Sequence, residues 1–267
     1  MSKKIQFIVC GWWYDKFDSK ENQTDFINQL IELNTDNDNI DVFWTCHKTP
    51  PKIITDNFEY QQYENIGLEW GAYHKAFTDM NLDDDTYIFY IQDDMIVHDW
   101  SFIPLCINHF DNNPKSKVIG NGWNYPWEIN PLEEARLSYW LKTNDRWVDY
   151  VRSENQHIFN DKIVCWSMRG SFLTSKAGYI REIGSFDYVD KPLIKMPDGN
   201  DSRDPHGNTS EYLNGYKFSK VFGYEGMKYL SNHYRFSKYM IECGAGQSRL
   251  DYEEPPFEQL GKDSVIG

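Results

Sequence analysis

The chain has 267 residues, with 41 acidic against 27 basic side chains and a formal net charge of -14. Hydrophobic residues make up 40% and aromatics 16%, enough for a substantial core and for rings that serve as ligand platforms. The acidic balance argues against non-specific nucleic-acid binding and against docking by charge on anionic lipid, while leaving room for a local basic pocket for phosphate.

Ile5–Cys10 reads as a first buried strand, ended by Gly11. Trp12, Trp13 and Tyr14 follow it, where a ring fits either stacking on a nucleobase or ordinary packing. Phe26, Ile27, Leu30 and Ile31 recur at helical spacing and predict a helix over roughly 21–34. The polar run 34–39 predicts a turn, and 40–45 a second short strand. Thr49-Pro-Pro51 breaks the chain into a loop. Trp70, Tyr73, Phe77 and Met80 place a helix from about Leu68 to Met80. Asp83–Asp85 turns it into a strand over 86–91. A further helix over 102–110 is stopped by Asn112-Asn-Pro114, and Lys117–Ile119 begins another strand. Alternating strands and helices predict an α/β fold with a mostly parallel sheet and crossover helices.

The second half is less regular. Leu132, Ala135, Tyr139 and Trp140 suggest a helix. Two short strands, 163–166 and 172–173, flank Arg169-Gly-Ser171, and 175–183 reads as helical. Residues 187–210, rich in Asp, Pro, Gly and Asn, read as a mobile loop. The stretch 218–229 and the segment to Met240 close the globule, and the tail after Gly244 has little core-forming character. The five cysteines, Cys10, Cys46, Cys106, Cys165 and Cys243, are odd in number and contain no Cys-x-x-Cys. They predict reduced thiols in a cytoplasmic protein. No signal-like apolar region opens the chain, and no apolar stretch reaches membrane-spanning length.

The apolar run Thr86–Ile91 ends abruptly in Gln92-Asp93-Asp94. Such a run reads as a strand buried on both faces. The two carboxylates then stand at the carboxyl edge of a sheet, where open α/β sheets bind ligands. Adjacent carboxylates repel unless something positive joins them, and hard oxygen ligands favour Mg2+ or Mn2+. A solvated acidic turn is the competing reading of a lone Asp-Asp.

Upstream lies Glu64-Asn65-Ile66-Gly67, followed directly by a helix. Asn-x-Gly, helix, buried strand and paired carboxylates together resemble the nucleotide-sugar-binding half of GT-A glycosyltransferases, most closely the family-2-like members of bacterial and viral type. The resemblance implies a Rossmann-like, mostly parallel central sheet flanked by helices, in a single domain. Residues 1–120 would form a donor half and 121–245 an acceptor and catalytic half, followed by a tail, 246–267. It implies donor contacts from Trp13, Asn65, Gly67, Gln92, Asp93, Arg169 and Gly170, and a metal held by Asp94 and His233, with His206 a competitor. It places the catalytic base at Glu211, ahead of Gly215-Tyr-Lys217, with Asp201 and Asp204 as rivals. Ile183-Gly-Ser-Phe-Asp187 resembles a Gly-Gly-Phe-Asp-like stretch of the family. The chain departs from the family in two places: Gln92 replaces the first motif carboxylate, and Ala72-Tyr73 stands where an Arg-Asn pair often falls.

The implied activity is metal-dependent transfer of a sugar from a nucleotide-diphosphate sugar to a glycan or other hydroxyl acceptor, with inversion. Two rivals share the residues. One is a non-catalytic nucleotide-sugar or carbohydrate-binding protein on the same fold. The other is a metal-dependent phosphoesterase using Asp93 and Asp94, which would need more ligands than the sequence offers nearby.

Overall fold

The structure, a computed structural model, describes residues 3–11, 19–127, 157–159, 162–188, 207–231, 237–242 and 266. Strand β1 (Ile5–Gly11) leads through helix α1 (Ser19–Asp36) to β2 (Ile40–Cys46). A short helix α2 (Lys52–Asn57) returns the chain to β3 (Glu59–Gln62). Helix α3 (Leu68–Asp79) then crosses to β4 (Tyr87–Gln92). A turn enters the short β5 (Met95–Val97), followed by α4 (Phe102–Asn112) and β6 (Val118–Trp127). Beyond it come β7 (His157–Phe159), β8 (Lys162–Lys176), α5 (Ala177–Glu182), α6 (Gly207–Gly226), β9 (Met227–Ser231) and β10 (Met240–Glu242).

The main sheet runs in the order β3-β2-β1-β4-β8-β6-β9, with β7 on the side of β8, while β5 and β10 form a separate two-stranded ribbon. β3, β2, β1 and β4 are mutually parallel, and β6 is parallel to β9. β8 is antiparallel to both β4 and β6, so on the path it alone runs against the others. This is the mostly parallel, helix-flanked α/β layout that the GT-A resemblance implies.

Each central strand alternates between two cores. Phe7 and Val9 of β1, and Tyr87, Phe89 and Ile91 of β4, meet Phe26, Ile27 and Leu30 of α1 and Phe102, Cys106 and Phe110 of α4. Ile8 and Cys10, with Ile88 and Tyr90, face α3, α5 and α6 through Trp70, Tyr73, Ala76, Ile180 and Phe218. A strand clad on both sides is apolar at nearly every position; the buried exception in β1 is Gln6, whose amide donates to the Phe7 and Asp41 carbonyls. Each buried aromatic contributes roughly 1.5–3 kcal/mol, and Phe7 and Phe89 stack with their centroids 5.1 Å apart.

Several elements differ from the sequence expectation. α2 and β3 stand where a plain loop was expected. The residues of β3 are all exposed, so no hydrophobic period marks it, and it exists through its pairing with β2. The first helix runs on to Asp36, and 175–176 belong to a strand. The two short strands around Arg169-Gly-Ser171 are one strand of 15 residues, because β6 pairs with it on both sides of that stretch while β4 joins it at 172–176. The expected mobile loop ends earlier, since 207–210 open α6; residues 189–206 lie outside the described residues, as does the helix expected near Leu132. The tail is not wholly idle either: Ile266 donates its backbone N–H to the Tyr229 carbonyl at 2.9 Å and packs against the first core.

Among the described residues, Cys10, Cys46 and Cys106 are free thiols, all buried. Burial pushes all three thiols up, Cys46 to about 11 from 9.0. At pH 8 these three should resist a thiol reagent in the native protein and react on denaturation, as mass mapping of the adducts would show. A raised folded-state pKa gives stability that is complete below the unfolded value and lost as pH climbs to the folded one. The denaturation midpoint should therefore fall between about pH 9 and about pH 11, measured by denaturant melts across that range.

Candidate functional site

The carboxyl ends of β1, β2 and β4 are level. Gly11 pairs with Cys46, and Cys10 with Gln92. The ladder extends one step further, as Asp93 donates its N–H to the Cys10 carbonyl at 3.0 Å. That bond fixes the turn carrying the carboxylates against β1. Gln92 is half-buried, Asp93 is 1% exposed and Asp94 is half-buried. From α1, Gln23 donates its side-chain N–H to Asp93 Oδ2 at 2.6 Å. A buried carboxylate needs such donors, because an unsatisfied one costs several kcal/mol in desolvation, on the order of a lost buried ion pair. Asp93 is thus held by the protein, and Asp94 is the more open of the pair.

β8 brings a second chain segment to this edge. Its register with β4 ends at the Phe172–Ile91 pair, and Gly170 follows two residues away along β8. Gly170 lies so close to α3 that a Cβ there would stand 2.4 Å from Glu69 Cγ and 2.7 Å from its Oε1. Only glycine fits between strand and helix. Tyr73, one turn along α3, donates its hydroxyl to the Gly170 carbonyl at 2.9 Å. The Ala72-Tyr73 pair that departs from the family pattern therefore braces β8. Burial pushes the Tyr73 phenol well above its usual value, with Cys10, Glu69, Asp94 and Asp93 acting in the same direction. Burial likewise raises the Cys10 thiol, reinforced by Glu69, Asp93 and Asp94. Three carboxylates thus share one small region with a thiol and a phenol that keep their protons at neutral pH.

Gly67 opens α3 with φ 79 and Leu68 follows at φ 52. The left-handed turn suits glycine and strains leucine. The Tyr188 ring lies over Gly67, where a Cβ would meet Tyr188 Cδ2 at 2.3 Å. Asn65 is exposed in the loop before this turn. The 183–187 stretch is tied to α6: Asp187 donates its N–H to Asn214 Oδ1 at 2.9 Å, and Asn214 Nδ2 donates to the Asp187 carbonyl at 2.7 Å. Lys217 Nζ reaches Asp187 Oδ1 and the Ser185 carbonyl, each at 2.9 Å.

The structure therefore brings Asp93, Asp94 and Gly170 together, with Gly67 at the entry of the helix that carries Glu69. Arg169 adjoins Gly170 on β8 and Glu211 lies within α6, each placed by its backbone. Trp13, Asp201, Asp204, His206 and His233 lie outside the described residues. Sequence reasoning missed Gln23, Glu69 and Asn214. A Glu in the first turn of an amphipathic helix reads as solvated, and Glu69 is 6% exposed because β8 covers it. Among the described residues, no group of three or more His, Cys, Asp or Glu side chains is placed to hold a metal ion. Asp94 fits such an ion as a hard oxygen ligand, and further ligands would come from elsewhere in the chain.

No protein-family model matches the sequence, and neither does any curated protein. Among solved structures, a CMP:2-keto-3-deoxy-manno-octonic acid synthetase complexed with CTP is similar at 9% identity and TM-score 0.42, over 82% of this chain and 86% of that one. The mannosyltransferase PcManGT from Pyrobaculum calidifontis, in complex with GDP-Man and Mn2+, is similar at 9% identity and TM-score 0.40, over 69% of this chain and 47% of that one. The galactosyltransferase LgtC, in complex with donor and acceptor sugar analogues, follows at 11% identity and TM-score 0.34, over 66% and 59%. These likenesses extend to the general course of the chain and no further.

Gln23→Ala removes one donor from a buried carboxylate. It should destabilise the fold by about 1–3 kcal/mol, measured by chemical denaturation against the parent chain.

Proposed function

We propose that this protein is a metal-dependent glycosyltransferase of GT-A type, moving a sugar from a nucleotide-diphosphate donor to a hydroxyl acceptor with inversion. The observation that carries the reading is the buried strand β4 delivering Asp93 and Asp94 to the level carboxyl edge of β1 and β2, next to the end of the β4–β8 ladder. Ligands of open α/β sheets bind at that edge. The first 120 residues then supply most of the donor side and residues 121–245 the acceptor side. Three buried free thiols suit a reducing compartment such as the cytoplasm. Among the described residues, no helix is long and apolar enough to cross a membrane.

Asp94 would hold Mg2+ or Mn2+, with His233 as a second ligand. The bound ion would offset the diphosphate's charge as the sugar–phosphate bond breaks. Asp93, pinned by Gln23 and by the Cys10 carbonyl, orients the turn and with Gln92 faces the ribose. Gly170 and Arg169 border the sugar, while Asn65, Gly67 and Trp13 border the nucleoside. Glu211 on α6 takes the acceptor proton as that hydroxyl attacks the face opposite the leaving diphosphate. The Asn214–Asp187 pair ties the 183–187 stretch to that helix one turn from Glu211.

Asp94→Asn should abolish Mn2+-dependent thermal stabilisation by nucleoside diphosphates and leave the unliganded melting temperature close to the parent value. Equal stabilisation of parent and variant, with and without metal, would sink the metal assignment. Glu211→Gln should leave donor binding intact and lower transfer by about 10²-fold or more. A crippling effect of Asp201→Asn or Asp204→Asn instead would move the base into the preceding loop. Release of phosphate from a simple ester at comparable rates would favour the phosphoesterase rival.

A further inference from the structure

Asn121 occupies an unusual place in the sheet. It is 0% exposed, and among the described residues it is the one side-chain amide whose Nδ2 and Oδ1 are both buried without a hydrogen-bond partner. Both ladders of β6 break at this residue. Towards β8 the register jumps from Gly120–Leu173 to Gly122–Met168. Towards β9 it jumps from Gly120–Tyr229 to Asn121–Ser231. Four residues of β8, 169–172, thus stand where regular pairing would place one. They include Gly170, which packs on Glu69, and Ser171, which is 2% exposed with its Oγ also unpartnered.

Native proteins rarely leave buried amides unsatisfied, since desolvation is then uncompensated. Bulges recur next to active sites, where they re-aim a side chain or end the pairing. Here the bulged stretch lies at the carboxyl end of the sheet, one strand over from the carboxylate pair. An amide offers two donors and an acceptor, and a serine hydroxyl one donor and two acceptors. That combination matches neighbouring hydroxyls on a sugar ring, each of which both donates and accepts. A phosphate, which only accepts, would leave the amide oxygen without a donor, and an apolar group would satisfy none of these atoms.

We propose that Asn121 and Ser171, at the double break in the β6 ladders, bind ring hydroxyls of a polyhydroxylated sugar and so decide which sugar the site accepts. The inference rests on the nucleotide-sugar reading above and adds the residues that would read the sugar itself. The sugar is either the one carried by the donor or the one receiving it, and the two sources separate in binding.

The test compares parent, Asn121→Leu and Ser171→Ala by calorimetric titration with UDP-glucose, GDP-mannose, UDP and GDP, each with Mn2+. Leucine keeps asparagine's branched outline of four side-chain heavy atoms and removes the unsatisfied amide, so the unliganded variant should melt close to the parent temperature. Affinity for the sugar nucleotide should fall about tenfold, the equivalent of one or two lost hydrogen bonds, with affinity for the bare diphosphate unchanged. That outcome assigns the donor sugar. Unchanged donor binding with an acceptor KM raised about tenfold assigns the acceptor. Ser171→Ala, which removes a single oxygen and carries little risk to the fold, should act in the same direction. Donor binding and acceptor KM both unchanged in the two variants overturn this inference and leave the transferase reading standing. Failure of the parent chain to bind any of the four nucleotides overturns that reading, and this inference with it.

Discussion

One reversed strand organises the molecule. A parallel sheet built from β3, β2, β1 and β4 ends at β4 with an unpaired edge of apolar residues. β8 covers that edge from Tyr87 to Ile91 and joins it to β6. Because β8 runs against its neighbours, its middle rather than its end reaches the carboxyl edge, and its irregular stretch lands beside the Asp93 turn. Gly170 then meets Glu69, and Tyr73 holds the strand through the Gly170 carbonyl. Remove the reversal and none of these contacts can form.

The same edge concentrates negative charge where water is scarce. Asp93 and Glu69 are both buried, and Asp94 is half-buried beside them. Burial foremost, and then the fields of these carboxylates, keep the Cys10 thiol and the Tyr73 phenol protonated. Those two groups are therefore neutral donors at physiological pH, and neither is poised as a nucleophile. Asp93 is already ordered there by the Cys10 carbonyl and by Gln23.

The central strands were legible because burial on both faces leaves an unbroken apolar run. Tyr87–Ile91, Ile5–Cys10 and the helix bearing Trp70, Tyr73 and Phe77 follow from periodicity alone. The Asp-Asp turn was legible for the same reason, since it is where the run stops. β3 was not, because Glu59-Tyr-Gln-Gln62 has no buried face to leave a pattern. β8 was read as two pieces, because Gly170 and its neighbours interrupt the alternation where the register with β6 breaks. Glu69 and Asn121 escaped notice for a more general reason. A polar residue's burial depends on what folds over it, and in both cases the cover comes from segments far along the chain.

That distance matters during synthesis. β4 is complete once residue 92 has emerged, but its outer edge waits for residues 172–176. Over that interval a nascent chain presents a short, aromatic, uncharged strand edge, the kind of segment that recruits other edges. The carboxylates just beyond it then act as gatekeepers, opposing in-register stacking of identical chains by mutual repulsion. Asp93 and Asp94 would thus protect the protein while it is still unfinished.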